Sequence, residues 1–169
     1  MTTPQLCHGS LTIERTYAAP PSRVFAAWAN IETKAQWFVG PPERWTLVTR
    51  ELDFRVGGTE VLEGLFDKDV IVRFTARYHA IIPNERLVYV YDLDGCDRNQ
   101  SVSLVSVEFA PTASGGTRMT FTEQIVFCDG QDGVEARRSG TSDHFDRLAL
   151  VVDAPVGATS DGPGTQRSR

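Results

Sequence analysis

Apolar and polar residues alternate through most of the chain between residues 70 and 127, and this alternation limits the fold more than any other feature. In the stretch 74-FTARYHAIIPNERLVYVYD-92, Phe74 and Tyr78 stand at even-numbered positions before the proline, and Tyr89 and Tyr91 stand at odd-numbered positions after it. The two rings of each pair therefore have the same parity along their strand. Successive side chains of a strand point to opposite faces, so the rings on each strand lie on one face. Pro83 has no N–H to donate to the hydrogen-bond ladder of a sheet, so the chain is expected to turn there. The pattern therefore predicts a hairpin with one aromatic face.

The rest of the chain extends this pattern in both directions. Short polar turns separate the apolar segments, and no helical segment stands between the later ones, which predicts an antiparallel sheet. The last segment carries an apolar stripe at helical spacing, formed by Phe145, Leu148, Ala149 and Val152, with a helix cap expected at Thr141 or Ser142. The predicted elements are a strand at 10–18, two short helices within 19–38 joined near Asn30, strands at 45–54, 59–66, 70–82, 86–93, 101–110 and 117–127, and a helix within 139–154.

The length and the ends of the chain predict one folded domain. A chain of 169 residues is the size of one ordinary domain. Residues 155–169 mix Gly, Pro, Ser and charged residues without periodicity, which is typical of a flexible tail. The expected division is an N-terminal arm at 1–9, a folded domain at 10–154 and a flexible C-terminal tail at 155–169.

Charge and cysteine content narrow the classes of partner. A net charge of -5 gives no basic surface for phosphate groups, so a nucleic-acid partner is not expected. Cys7, Cys96 and Cys128 are odd in number and far apart, which predicts neither a disulfide framework nor a metal site. The chain shows no secretory leader and no apolar run long enough for a membrane span. These features predict a cytoplasmic protein.

Four stretches, in order along the chain, resemble one known family. They are 14-ERTYAAPPSRVFAAWANIETKAQWF-38, the turn 53-DFRVGG-58, the hairpin 81-IIPNERLVY-89, and the last-helix segment from Gly140-Thr141 through 145-FDRL-148. The family is the bacterial one named for similarity to the activator of the heat-shock protein 90 ATPase, within the START-like, helix-grip superfamily. Relatives often carry an apolar pair after the glycine of the last helix, whereas Ser142, Asp143 and His144 stand there in this chain.

The resemblance implies both a fold class and a cavity. The implied fold is α+β, with a curved antiparallel sheet of about six to seven strands wrapped around a long C-terminal helix and two short helices after the first strand. Many relatives hold a hydrophobic small molecule between the sheet and that helix. The family name also implies a chaperone partner and a role in the stress response, although a fold does not determine a function.

The aromatic and apolar residues of the expected concave face are the candidates for a ligand-binding wall. Ligand sites are mostly apolar with a few polar groups, which such a face could supply. The alternative is that all of these side chains fill the core, as buried rings usually do. A buried tyrosine hydroxyl needs a partner, so Tyr78, Tyr89 and Tyr91 are the expected polar anchors. The candidate ligand-binding residues are Trp37, Phe54, Phe66, Phe74, Tyr78, Tyr89, Tyr91, Val107, Phe121, Glu123, Phe145 and Leu148.

Glu123 is the one acidic residue among these candidates, because it shares the parity of Phe121 on the last strand. Either it lies near a strand end or pairs with an arginine such as Arg77, or it is unpaired and could donate or accept a proton. His79 has the opposite parity to Tyr78 and should face solvent. His144, between acidic neighbours, is expected on a hydrated helix face.

Three functions remain open at this point. The first is binding of an apolar or aromatic small molecule, such as a lipid or polyketide, in the sheet–helix cavity. The second is a protein-interaction module that stimulates a chaperone ATPase. The third is an enzyme of the cyclase or hydrolase kind that uses Glu123 or a tyrosine for acid–base chemistry. Neither a metal nor a cofactor is expected, and the chain is expected to be a monomer or a homodimer.

Overall fold

The computed structural model describes residues 2–155, and they form one antiparallel sheet with three helices. The fold is therefore α+β, as predicted. The predicted flexible tail lies, from residue 156 onward, outside the described residues. The strands are β1 (Cys7–Tyr17), β2 (Trp45–Leu52), β3 (Thr59–Phe66), β4 (Val70–Ile82), β5 (Arg86–Gly95), β6 (Arg98–Pro111) and β7 (Thr117–Phe127), and the helices are α1 (Pro21–Ala29), α2 (Ile31–Lys34) and α3 (Val134–Val152).

The seven strands follow the order β1-β7-β6-β5-β4-β3-β2, and every neighbouring pair is antiparallel. The first strand thus pairs with the last one. The register shifts in β2, in β4 and between β5 and β6, and bulges of this kind bend a sheet. The curved sheet faces α3, whose buried residues are Phe145, Leu148 and Val152. This is the helix-grip arrangement.

Two short helices follow β1, as predicted, and Asn30 joins them. Pro21 is the first residue of α1, where its missing N–H removes no intrahelical bond. The Asn30 side chain accepts a hydrogen bond of 2.8 Å from the Thr33 N–H and so caps α2. Both helices pack over one end of the sheet, where Phe25 contacts Phe109 edge-on at 5.7 Å between ring centroids.

The last helix starts earlier than predicted. The expected cap at Thr141 or Ser142 is wrong, because α3 begins at Val134 after Gly133. The prediction places no element at residues 128–138, although 134-VEARR-138 contains good helix formers. The additional helical residues bring Arg137 against the sheet.

Other boundaries also differ from the prediction. The region 92–99 is mostly strand, because Cys96 and Asp97 alone form the turn, both with positive φ. A two-residue turn in which both residues have positive φ has a backbone twist that matches the right-handed twist of the two strands it joins. β1 begins at Cys7, so the expected arm at 1–9 is shorter, and β2 ends at Leu52. No helix within residues 2–155 is long and apolar enough to cross a membrane.

Candidate functional site

A cavity of about 490 Å³ lies between the curved sheet and α3. Helices α1 and α2 close one side of it, and strands β3 to β7 form the floor. Ala136 and Gly140 border the cavity and are also exposed, so it opens to solvent along the first turns of α3. The lining residues are Trp28, Lys34, Trp37, Phe38, Phe66, Val72, Phe74, Tyr89, Tyr91, Leu93, Gln100, Ser101, Phe121, Phe127, Asp129, Gln131, Gly133, Ala136, Arg137, Gly140, Thr141, His144 and Phe145.

Most of the predicted ligand-binding residues border this cavity, and the others lie behind its wall. The wall contains seven of the candidates: Trp37, Phe66, Phe74, Tyr89, Tyr91, Phe121 and Phe145. The five that do not line the cavity are Phe54, Tyr78, Val107, Glu123 and Leu148.

Four of these residues share the parity or the helix face of the lining residues, and all five belong to the core or pack against it. Phe54 follows β2 and contacts the rings of Phe25 at 5.7 Å and Tyr78 at 5.1 Å. Val107 and Leu148 are fully buried. Strand parity identifies the face on which a residue lies, but it does not show how far along that face the core ends and the cavity begins.

A buried lysine at the end of α2 borders the cavity and was missed from the sequence. The Lys34 Nζ donates to Glu60 Oε2 at 2.7 Å and to the Tyr78 hydroxyl at 3.3 Å, and Tyr78 donates to the same carboxylate oxygen at 2.6 Å. All three side chains are buried. Glu60 has the parity of the apolar Leu62 and of Phe66, which is the sequence signal that could have revealed it.

Aromatic rings surround the Lys34 ammonium group. Its Nζ lies 5.1 Å from the ring centroid of Trp28 and 5.2 Å from that of Phe38, which is the range of cation–π attraction. Burial lowers the pKa of Lys34, and the Glu60 carboxylate opposes this shift. The ion pair joins α2 to β3 at the inner end of the cavity.

A second buried ion pair joins α3 to the sheet. Glu123 Oε1 accepts from Arg137 Nη1 at 2.6 Å and also from the Tyr91 hydroxyl. Arg137 Nη2 donates to Ser101 Oγ at 2.7 Å. The expected pairing with an arginine is confirmed, but the partner is not Arg77, which lies exposed on β4, and Glu123 lies in the middle of β7 instead of near a strand end. The residue that pairs with Glu123 comes from helical residues that precede the predicted range of the last helix.

Two polar groups at the cavity wall have no protein partner. The Tyr89 hydroxyl makes no hydrogen bond within residues 2–155, although the side chain is buried, and burial raises the pKa of this phenol. The Trp28 Nε1 is likewise buried without a partner among the same residues. The rings of Trp28 and Tyr89 are neighbours, with 6.4 Å between centroids. By contrast, Trp37 Nε1 donates to the Ala27 carbonyl oxygen at 3.0 Å.

His144 faces the cavity, so its expected place on a hydrated helix face is wrong. Its ring contacts Phe38 edge-on at 5.1 Å between centroids. Burial, helped by the nearby Arg147 guanidinium, lowers the pKa of His144 to about 4. The imidazole is therefore neutral at neutral pH. His79 is exposed, as predicted.

Metal binding has no support from this part of the chain. In the range 2–155, no three or more His, Cys, Asp or Glu side chains are grouped so that they could hold an ion.

Comparison with known proteins agrees with the fold. The family described as "Activator of Hsp90 ATPase homolog 1-like protein" matches residues 18–153, which is most of the chain. This chain belongs to that family. The family has the START-like, helix-grip fold, which commonly binds hydrophobic ligands.

Solved structures of bacterial relatives have the same architecture. An uncharacterised protein from Rhizobium leguminosarum is 39% identical, with a TM-score of 0.83, over 90% of this chain and 99% of that one. A protein from Rhizobium loti is 37% identical, with a TM-score of 0.80, over 87% and 99% of the two chains. An AHSA1-like protein from Aeromonas hydrophila is 22% identical, with a TM-score of 0.67, over 86% and 92%, and this likeness concerns the fold alone. No protein of curated function matches the chain in sequence.

Proposed function

We propose that this protein binds an apolar or aromatic small molecule in the cavity between the sheet and α3. The observation that carries the proposal is the cavity itself, whose volume of about 490 Å³ is not filled by the protein's own side chains. Ligand pockets of roughly 300–1,000 Å³ accommodate molecules of small-drug size. The occupant would be a lipid-like or polyketide-like compound of that size.

The chemistry of the wall supports an apolar ligand. Eight aromatic and aliphatic side chains of the lining come from β3, β4, β5 and β7, and Trp28, Trp37, Phe38 and Phe145 add four more. Most of the polar lining residues lie on β6 or between residues 129 and 144. Burial of apolar surface contributes about 25 cal/mol per Å², so a ligand that covers these rings would gain most of its affinity from them. The few polar groups would then set its orientation.

The position of Glu123 favours binding over acid–base catalysis. Its Oε1 accepts from Arg137 and Tyr91, and although its Oε2 has no partner among the described residues, the residue lies behind the cavity wall. A general base must come within hydrogen-bond reach of the proton that it removes. Interaction with a chaperone rests on the family's name, whereas ligand binding rests on a feature of this chain.

The test is binding of the uncharged fluorophore N-phenyl-naphthylamine to three forms of the protein. The wild type is compared with Gly140→Trp, because a Cβ added at Gly140 meets no atom within 4 Å and the indole would enter the cavity opening. Leu150→Trp is the matched control, since Leu150 is 78% exposed on the same helix and does not line the cavity. Thermal unfolding of each variant verifies that it is folded.

Saturable binding by the wild type and by Leu150→Trp, with affinity reduced about tenfold or more in Gly140→Trp, is the expected result. Absence of saturable binding by the wild type would contradict the proposal. Equal affinity in all three forms would mean that the fluorophore binds elsewhere on the surface.

A further inference from the structure

Both cations at the cavity wall already have a carboxylate partner. Lys34 Nζ lies 2.7 Å from Glu60 Oε2, and Arg137 Nη1 lies 2.6 Å from Glu123 Oε1. A ligand carboxylate would therefore add a third negative charge beside two balanced pairs. Burial of an unbalanced charge is far more costly than burial of a neutral polar group.

The remaining charged groups near the cavity do not offer a site for an anion either. His144 is neutral at neutral pH, and Asp129 is acidic. Arg50 and Arg147 lie outside the wall, where they donate to backbone carbonyl oxygens of residues 37–39 at 2.6–3.2 Å. The charge pattern thus favours an uncharged ligand.

Three neighbouring side chains of the cavity wall, Trp28, Lys34 and Tyr89, carry unused hydrogen-bond donors and form the Trp28–Lys34–Tyr89 corner. The Trp28 Nε1 and the Tyr89 hydroxyl have no partner within the described range, and Glu60 and Tyr78 take two of the three N–H groups of Lys34. Lys34 Nζ is 5.1 Å from the Trp28 ring, and the Trp28 and Tyr89 rings are 6.4 Å apart. A buried donor without an acceptor is unfavourable, so this corner is suited to an acceptor oxygen.

Resting on the function proposed above, we propose that the ligand is an uncharged, mainly apolar carbonyl compound, such as an aryl ketone or an ester. Its carbonyl oxygen accepts hydrogen bonds at the Trp28–Lys34–Tyr89 corner, and its apolar body covers the rings of β4, β5 and β7. A carbonyl oxygen fits better than a hydroxyl group, because the unused groups of Trp28 and Lys34 are donors only and a carbonyl brings no hydrogen of its own.

The test uses three naphthalene compounds of similar shape as competitors of the fluorophore at neutral pH. They are methyl naphthyl ketone, its hydrocarbon counterpart isopropenylnaphthalene, and the anion naphthoate. Each is measured with the wild type, with Tyr89→Phe, which removes one donor of the corner, and with Tyr17→Phe. Tyr17 is the control because its hydroxyl donates to the Phe145 carbonyl oxygen at 3.3 Å and does not line the cavity.

The wild type should bind the ketone at least about tenfold more tightly than naphthoate. The affinity for the ketone relative to the hydrocarbon should fall severalfold in Tyr89→Phe and stay the same in Tyr17→Phe. If naphthoate binds as tightly as the ketone, or if Tyr89→Phe leaves the ratio unchanged, the inference is wrong while the proposed function stands. If the fluorophore itself does not bind to the wild type, both fail.

A spectroscopic measurement on the wild type tests the inference without a variant in the corner. The chain has three tryptophans, so its ¹H–¹⁵N spectrum should contain three indole N–H signals. The ketone should shift the Trp28 signal downfield, as a new hydrogen bond does, and the hydrocarbon should not. The difference between the shifts caused by the ketone and by the hydrocarbon should be smaller for the Trp37 signal, because the Trp37 N–H already donates to the Ala27 carbonyl oxygen. An equal shift of the Trp28 signal by both compounds would contradict the inference.

Discussion

Two carboxylates, Glu60 and Glu123, are withdrawn from water in this domain, and each is held by a cation from another element. Glu60 on β3 is paired with Lys34 of α2, and Glu123 on β7 is paired with Arg137 of α3. A buried carboxylate cannot be left alone without a large loss of stability. Each pair therefore fixes one helix to the sheet at the border of the cavity.

Removal of one member of the Lys34–Glu60 pair should be strongly destabilising. Lys34→Met leaves the Glu60 carboxylate buried with only the Tyr78 hydroxyl as its partner, and the free energy of unfolding should fall by about 3–5 kcal/mol in urea titrations. The double variant Lys34→Met/Glu60→Gln should recover part of this loss, because no buried charge is left unpaired.

The surface pair Arg44–Asp67 is the control for that prediction. Its N–O distance is 2.6 Å, but both side chains are more than half exposed, so Arg44→Met should change the stability much less than Lys34→Met. Similar losses of stability for the two single variants, or a double variant as unstable as Lys34→Met, would show that an unpaired buried charge is not the cause of the loss.

His144 should make the stability depend on pH. Burial lowers its folded-state pKa from 6.5 to about 4, so between these values the unfolded chain binds a proton that the folded protein does not. The stabilisation is complete above pH 6.5 and is lost as the pH falls towards 4, with a total of roughly 2–3 kcal/mol.

In urea titrations across this range, His144→Gln should lose less stability than the wild type. His79 is exposed, so the control variant His79→Gln should follow the wild type. Parallel pH curves for His144→Gln and the wild type would contradict this origin.

At the scale of elements, local patterns predicted the sheet well and the last helix less well. Alternation identified every strand from β4 to β7, because a half-buried strand repeats every two residues whatever its neighbours are. The start of α3 could not be predicted in this way. Its first turns border a cavity and solvent instead of a packed core, so Ala136 and Gly140 give no apolar stripe.

The polar part of the site depends on contacts that no local pattern contains. Arg137 meets Glu123 only because α3 crosses β7, and Lys34 meets Glu60 only because α2 packs on β3. Strand parity places Glu123 on the apolar face, but it does not select one arginine of the chain as the partner. Pairing between distant segments is a property of the assembled fold.

Gly140 should limit the stability of α3. Glycine in a helix is unfavourable by roughly 0.5–1 kcal/mol relative to alanine, so Gly140→Ala should raise the free energy of unfolding by that amount in urea titrations. The added Cβ meets no atom within 4 Å. Gly133→Ala is the matched control, because a Cβ there would lie 2.8 Å from the Phe127 ring and should destabilise the helix start. A Gly140→Ala variant less stable than the wild type would show that this position is not open.

At the scale of the whole molecule, the cavity exists only when every layer is assembled. Trp28 and Lys34 come from the two short helices, Tyr89 and Phe121 come from different strands, and Phe145 comes from α3. Separation of α3 from the sheet would remove one whole wall. A ligand in this cavity therefore binds the folded protein and has no comparable site on the unfolded chain.

Ligand binding should consequently stabilise the entire fold in proportion to its affinity. A ligand that binds only the folded state adds about 2.7 kcal/mol to the free energy of unfolding at a free concentration of 100 Kd. With methyl naphthyl ketone, the melting temperature of the wild type should rise steadily with the logarithm of the ligand concentration above Kd, and Leu150→Trp should follow the same curve. Gly140→Trp, whose cavity opening is occupied, should need a higher concentration for the same rise. If the melting temperature of Gly140→Trp rises as much as that of the wild type at each concentration, the stabilising site lies outside this cavity.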